Sequence, residues 1–350
     1  MFSPVYSVTP KLLAQIGLIE RARGRVDAAR LTPEQTSALQ QHADAEMIAA
    51  SAGLSDDLLT RKEIDNVLLG RPVHAPGTAV TAVLNARAGI EWARERAADP
   101  TPLGLDDIRE VHAVFTRGLG YDHELGDFRA GPAVILHRFL GSIWGAYKAP
   151  PAEVVPDRLE ALLRWMGAAG ADPHPVVAAG IAHQEIASIR PFTLATGQVA
   201  RLVSRIALAQ HGYGFHGALA LGSFYVANRA AYHTALDNGA SYLERARSSR
   251  DEWLEFYLRG LLNEVDRITA MIAALEVEGF EGGHVATLRR DEAALIAFAE
   301  SYGSFTKRDA ASILSPVPSR LVAKRLQAMV DDGRLVAESA GDRTRYRIPG

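Results

Sequence analysis

The chain has 350 residues, 48% of them hydrophobic, with a formal net charge of −3 and no cysteine. That length and apolar content can bury a full core and suit two or more domains, while the absence of cysteine excludes disulfides, thiolate nucleophiles and zinc–thiolate sites. The opening residues MFSPVYSVTPKLLAQIGLIERARG lack a basic segment followed by an apolar core, and no apolar run approaches the ~18 residues of a membrane span, so a soluble cytoplasmic protein without membrane contact is expected.

Residues 1–75 read as helical. Thr9 or Pro10 opens one helix, and Thr32-Pro33-Glu34-Gln35 opens another as a capping box with Pro at the first helical position. Thr60 with Glu63 is a further box. The breaker-rich RPVHAPG stretch at 71–77 leads into a second region, 76–270, with helices over 80–97 and 105–116. Residues 126–135, GDFRAGPAVI, read as a turn-rich hairpin carrying Phe128, Arg129 and Val134. A proline-rich stretch at 149–156 then leads into the helix DRLEALLRWMGAA.

Residues 183–205, HQEIASIRPFTLATGQVARLVSR, are predicted to form a helix, a sharp turn at Arg190-Pro191-Phe192 and a second helix from near Gly197. Val199, Leu202, Val203 and Ile206 fall on one face of that second helix, with Gln198, Arg201 and Arg205 opposite. Two guanidinium groups one turn apart therefore point away from the apolar stripe. Residues 271–285 read as a linker. The last part, 286–350, holds 11 Lys/Arg against 8 Asp/Glu. It reads as a helix near 286–301, a capping-box start at Thr306-Lys307-Arg308-Asp309, a turn at 315–318, and a helix over 319–331. That helix points Val322, Leu326, Met329 and Val330 inward and Arg320, Lys324 and Gln327 outward. Two period-two strands follow around a turn at 340–342, bearing Arg343, Arg345 and Arg347.

The stretch 190–201 resembles the signature of Fic (Fido-fold) proteins, His-Pro-Phe-x-Asp/Glu-Gly-Asn-Gly-Arg-x-x-Arg. Pro191, Phe192, Gly197 and Arg201 match it. Arg190 stands at the family's catalytic His and Leu194 at its acidic metal ligand; Ala195-Thr196 replace the Gly-Asn pair and Gln198 the first motif Arg. The resemblance covers roughly residues 1–270. It implies a mainly α fold: a Fido helical core with a small β-hairpin flap, followed at 286–350 by a segment similar to the winged helix-turn-helix modules that follow many Fic domains. The family's flap holds a target segment by strand addition, which would assign Phe128, Arg129 and Val134 to peptide binding; a hairpin that merely caps the helical core is the alternative. Some relatives carry an inhibitory Ser-x-x-x-Glu-Gly segment. Its counterpart here begins at Ser51 and puts Ser55 where the inhibitory Glu would be.

AMP transfer needs a base for a target hydroxyl, a magnesium ion and donors for the pyrophosphate. A guanidinium has no acceptor lone pair, so Arg190 cannot be the base, and Leu194 cannot ligate a hard cation. Losing a base alone typically costs on the order of 10²–10⁴ in rate. No catalytic residue and no cofactor are therefore expected. What can remain is an anion or nucleotide site, without magnesium, at Thr196, Gly197, Gln198, Arg201 and Tyr232, because a helix start favours anions. Against it, Ala195 stands where a glycine would allow positive φ, Thr196 can serve simply as an N-cap, and Tyr232 reads equally well as core. His183 and Glu185 form an H-x-E pair with no Pro-Cys-x-x-Cys to complete a deaminase zinc site. The glycines at 212, 214, 217 and 222 form no dinucleotide fingerprint.

The expectation is a pseudoenzyme scaffold or sensor with a degenerate Fic motif, binding DNA through Arg320, Lys324, Arg343, Arg345 and Arg347, as a homodimer reading paired half-sites. Two alternatives stand: a divergent Fic-fold enzyme acting on an anionic or nucleotide-containing substrate, and a residual protein adenylyltransferase. The C-terminal domain can also serve dimerisation or protein docking.

Overall fold

The computed structural model describes residues 2–54, 59–120, 124–139, 142–168, 173–277, 295–296, 298–299, 303–313, 319–331, 333–340 and 343–349. For 136–139, 142–145, 168, 276–277, 312, 319–321, 324, 339–340 and 343 it describes the backbone alone. The chain forms two compact units, residues 1–273 and 274–350. Among the described residues no helix is long and apolar enough to cross a membrane.

In the first unit the local caps set the helix starts. Helix α1 (Pro10–Ala28) begins with Thr9 Oγ1 accepting the Leu12 N–H at 3.1 Å. Helix α2 (Pro33–Leu54) begins with both bonds of the Thr32–Gln35 box, at 2.8 and 3.2 Å. Helix α3 (Arg61–Leu68) has the equivalent Thr60–Glu63 pair. Then come α4 (Gly77–Ala98) and α5 (Leu105–Thr116). The hairpin follows, with β1 (Val134–Phe139) antiparallel to β2 (Ser142–Lys148) and Val134 opposite Lys148. The remaining helices are α6 (Val155–Ala168), α7 (Pro175–Ile189), α8 (Thr196–Gln210), α9 (Gly222–Ala227), α10 (Arg229–Leu236), α11 (Tyr242–Arg247) and α12 (Asp251–Val277).

The hairpin expected at 126–135 is displaced. Residues 126–133 run as irregular chain and the strands occupy 134–148. The reason is Arg129, only 7% exposed, whose guanidinium donates to the carbonyls of Arg190 (2.7 Å), Gly131 (2.7 Å), Pro150 (2.6 Å) and Ile189 (3.3 Å). A side chain committed to four carbonyls holds its own segment as a strut, not as a strand. The linker expected from 271 is also shortened, because α12 continues to Val277.

Helix α7 is buried on every side from Val176 to Ile186, which its mean apolar character and its lack of a polar face permit. Ile186, Ile189, Phe192, Val199, Val203 and Ile206, on α7, α8 and the turn between them, join one core with Val83, Ala86 and Ile90 of α4 and Ile108, Val111 and Phe115 of α5. Ile48, Ala52, Ile64 and Val67 belong to the same cluster, so residues 1–75 pack as part of this unit. Each of the larger side chains among these contributes about 1.5–3 kcal/mol of transfer free energy.

The second unit contains β3 (Phe305–Thr306), α13 (Lys307–Ile313), α14 (Ser319–Asp331), β4 (Val336–Ala340) and β5 (Arg343–Arg347), its antiparallel sheet ordered β3-β5-β4. The Thr306–Asp309 box opens α13. Phe305, Ala310, Val322, Leu326, Met329 and Leu335 form the core. The two-residue β3 carries too short a pattern to be read from sequence. Residues 286–294 of the expected helix, and the turn residues 315–318, 341 and 342, lie outside the described residues.

Candidate functional site

Helices α7 and α8 meet at a loop whose two ends are both in the left-handed region. Arg190 closes α7 at φ 49°, ψ 64°, and Ala195 caps α8 at φ 57°, ψ 7°. The Thr196 hydroxyl donates to the Phe192 carbonyl at 3.2 Å, so it does not cap the helix as the sequence allowed; Ala195 occupies the cap position without a side-chain bond. The loop is held from three sides. The Arg129 N–H donates to the Pro191 carbonyl at 2.9 Å, and the His112 ring stacks on Phe192 with centroids 3.8 Å apart. Phe128 also packs on Phe192, at 5.4 Å, under the Arg109 guanidinium. Phe128 and Arg129, expected on a target-binding flap, are therefore supports of this loop. Val134 does begin β1 and is exposed.

Above the loop lies a cleft of about 710 Å³ walled by α2, α4 and α5, by α10, and by the head of α8. Arg190, Thr196, Gly197, Gln198, Arg201 and Tyr232 all line it, so the residues singled out along the sequence converge. The Arg201 side chain folds back over the first turn of α8, its Nη1 lying 3.1 Å from where a Cβ on Gly197 would stand. A side chain at 197 would press on Arg201 and push its guanidinium aside by a few tenths of an ångström. Tyr232 is 4% exposed, stacked on Tyr225 at 4.7 Å, with its hydroxyl 2.9 Å from His183 Nε2 and beside Arg201. Most of its ring belongs to the core and one edge meets the cleft.

Arg190 is partly buried, and burial together with the neighbouring Arg129 and Arg245 guanidiniums pulls its pKa below the usual arginine value. Arg245, missed in the sequence, comes from α11. It donates to Asp237 at 2.6 Å and lies 3.5 Å over the Tyr147 ring. Asp237 is the one carboxylate among the described lining residues, and Arg245 already holds it. Phe115 and Thr116 at the end of α5, which also line the cleft, were read only as helix. No spacing in the chain ties these segments to residues 190–201; only the fold does.

A magnesium ion, which the family resemblance implies, wants several oxygen ligands. Leu194 offers none, Asp237 is engaged, and among the described residues no group of three or more His, Cys, Asp or Glu is placed to hold a metal. The donor set does not fit that ion. The head of α8 brings Arg201 beside Gly197 at a helix N-terminus, where an anion is favoured over a cation. His183 and Glu185 are structural. His183 is buried against Trp253 and Tyr232, and Glu185 pairs with Arg250 and accepts from the Tyr242 hydroxyl at 2.7 Å.

In the second unit Arg345 is exposed and donates to Ser304 Oγ at 3.2 Å, and Arg347 pairs with Glu338 at 2.6 Å. The side chains of Arg320, Lys324 and Arg343 lie outside the described residues, as does Ser55.

The comparisons agree with this fold. The whole chain superposes on a Fic family protein from Desulfovibrio desulfuricans G20 with a TM-score of 0.65 at 22% identity, covering 100% of this chain and 99% of that one. A Fic domain containing signaling protein from Bacteroides thetaiotaomicron VPI-5482 matches with a TM-score of 0.63 at 20% identity, over 74% of this chain and 97% of that one. Fic-1 (residues 134–508) from C. elegans matches at 0.58 and 16%, over 76% and 74%. At these identities the likeness fixes the fold. The Fic/DOC family model matches residues 102–208, the span from the start of α5 through α8 that builds the loop and one side of the cleft; that span is a Fic/DOC family domain.

Proposed function

We propose that this protein is a Fic-fold pseudoenzyme whose cleft binds an organic anion without magnesium, as a sensor or scaffold, and transfers no AMP. The observation that carries the reading is the charge at the head of α8. Arg190 and Arg201 face a cleft whose single described carboxylate is already paired, at the place where a base and a metal ligand would have to stand. A guanidinium that lacks a lone pair can hold an anion but cannot take a proton from a hydroxyl.

The test is a thermal-shift titration of the protein against a nucleotide panel, with and without magnesium, repeated on Arg201→Ala. A ligand at about 100 times its Kd stabilises the native state by roughly 2.7 kcal/mol. The reading predicts a shift that is independent of magnesium and lost in Arg201→Ala. A shift that requires magnesium, accompanied by AMP incorporation, would return the protein to the adenylyltransferases.

A second reading concerns residues 274–350. The α13–α14 pair beside a three-stranded sheet, with Arg345 and Arg347 on β5, supports a winged helix that binds DNA, with α14 in the major groove. On this reading the protein acts as a homodimer on paired half-sites. Binding of genomic fragments no tighter than the non-specific level at physiological salt would remove it.

A further inference from the structure

Behind Arg201 a second, smaller cavity of about 50 Å³ opens along the polar face of α8. It shares Ser51, Ala86, Phe115, Gln198 and Arg201 with the cleft, so the two abut across the Arg201 side chain. Its other walls are chiefly apolar, among them Met47, Ile90 and Leu221. At its inner end is Tyr225, 1% exposed, whose hydroxyl is buried and has no hydrogen-bond partner among the described residues. Buried hydroxyls normally find a partner, because leaving one unmade costs the full desolvation of the group. The ring cannot turn away to find one, since it is clamped between Tyr232, at 4.7 Å, and Phe256, at 6.1 Å.

The polarity of this annex is one-sided. Arg201 and Arg205 both line it; Arg205 donates to the carbonyls of Leu219 (3.3 Å) and Gly217 (3.1 Å) and forms no direct ion pair among the described residues, the Asp44 carboxylate that acts on it being held by Arg94. Burial lowers the Arg205 pKa to about 10. Among the described residues, no carboxylate lines the annex. Two guanidiniums and a phenol free to donate call for an acceptor, and a carboxylate is the acceptor that also answers the charge. The volume admits a group of a few heavy atoms, more than the single water that about 10–15 Å³ would hold.

We propose that the annex is a carboxylate subsite, so that the ligand of the cleft is a short bifunctional anion: one anionic group at the head of α8, and a carboxylate on a short apolar arm that passes Arg201 and accepts from the Tyr225 hydroxyl. This rests on the anion-binding reading of the cleft.

The experiment compares three probes by calorimetric titration of the full chain: inorganic phosphate, propylphosphonate and 3-phosphonopropionate. The last two differ only by a carboxylate in place of a methyl. The expected result is that 3-phosphonopropionate binds at least tenfold more tightly than propylphosphonate, and that Tyr225→Phe, which removes one unpartnered oxygen and no packing, abolishes that advantage while leaving propylphosphonate unchanged. Equal affinity for the two phosphonates, or an advantage that survives Tyr225→Phe, overturns the subsite. If phosphate and propylphosphonate still bind and require Arg201, the anion-binding reading survives that failure. If no probe binds at all, both fall.

Discussion

Arg190 and Ala195 hold backbone conformations that glycine or asparagine usually takes, at a cost of about 1–2 kcal/mol each. They persist because the loop between them is over-determined by Arg129, His112 and Phe128. Ala195→Gly should therefore stabilise the protein by up to about 1 kcal/mol, the relieved strain exceeding the added backbone entropy of the unfolded chain, and a urea midpoint that rises without a change in slope would show it. Arg190→His restores a side chain that can accept a proton, yet Leu194 and Gln198 still leave metal and pyrophosphate unheld. Intact-mass measurement with ATP and magnesium should show no AMP adduct on that variant. At this scale the sequence was informative about chemistry and silent about conformation. The sequence shows directly that Arg190 and Leu194 stand where the resembled signature has its His and its acidic residue. Positive φ could not be read, because neither arginine nor alanine advertises it, and Arg245 reaches the cleft from a helix about 50 residues away with no periodicity to link them.

The elements around the cleft are tied by polar groups that the apolar pattern cannot show. Glu185 on α7 receives the Tyr242 hydroxyl from α11 and the Arg250 guanidinium from the start of α12, all buried. Glu185→Ala strands the charge on Arg250 and should cost about 3–5 kcal/mol, read as a loss of unfolding free energy in urea. Helix spans were legible where a cap stood at the start, as at Thr9, Thr32, Thr60 and Thr306. The hairpin was misplaced because turn residues mark where a chain bends and not which flanking segment pairs. Arg129, in the middle of the supposed hairpin, was spoken for by carbonyls from two other segments, at 150 and at 189–190.

Acid stability belongs to the whole molecule. Burial holds the His112 ring at a pKa of about 4 and the His183 ring at about 3, against 6.5 in an unfolded chain. Between about pH 6.5 and those values the unfolded state binds protons that the folded state refuses, so stability falls as the pH falls through that window and levels off below it. His112 alone accounts for on the order of 3 kcal/mol. Melting temperature should drop steeply from pH 6.5 to 4, and less steeply in His112→Gln; identical slopes for the two proteins would show that the ring is not held neutral. The chain divides at residues 273/274, within the span 271–285 read from sequence as a linker, and α12 runs on to Val277 because no breaker interrupts its helical pattern there.

At Gly180 the helices α7 and α12 meet with almost nothing between them: a Cβ there would lie 2.8 Å from Tyr257 Cδ1 and 3.2 Å from Leu254 Cδ2, and Trp253 Nε1 donates to the Gly180 carbonyl at 2.7 Å. Backbone this closely apposed has no partial opening available to it. The amides of α7 should therefore exchange with deuterium only when the whole unit unfolds, on the slowest timescale in the chain. The opposite walls of the cleft are lined by Ser51 and Leu54 of α2 and by Thr78 and Ala82 of α4. On the anion-binding reading, protection gained on binding should appear in α2 and α4, which line the cleft, while α7, already at the slowest rate, registers no change.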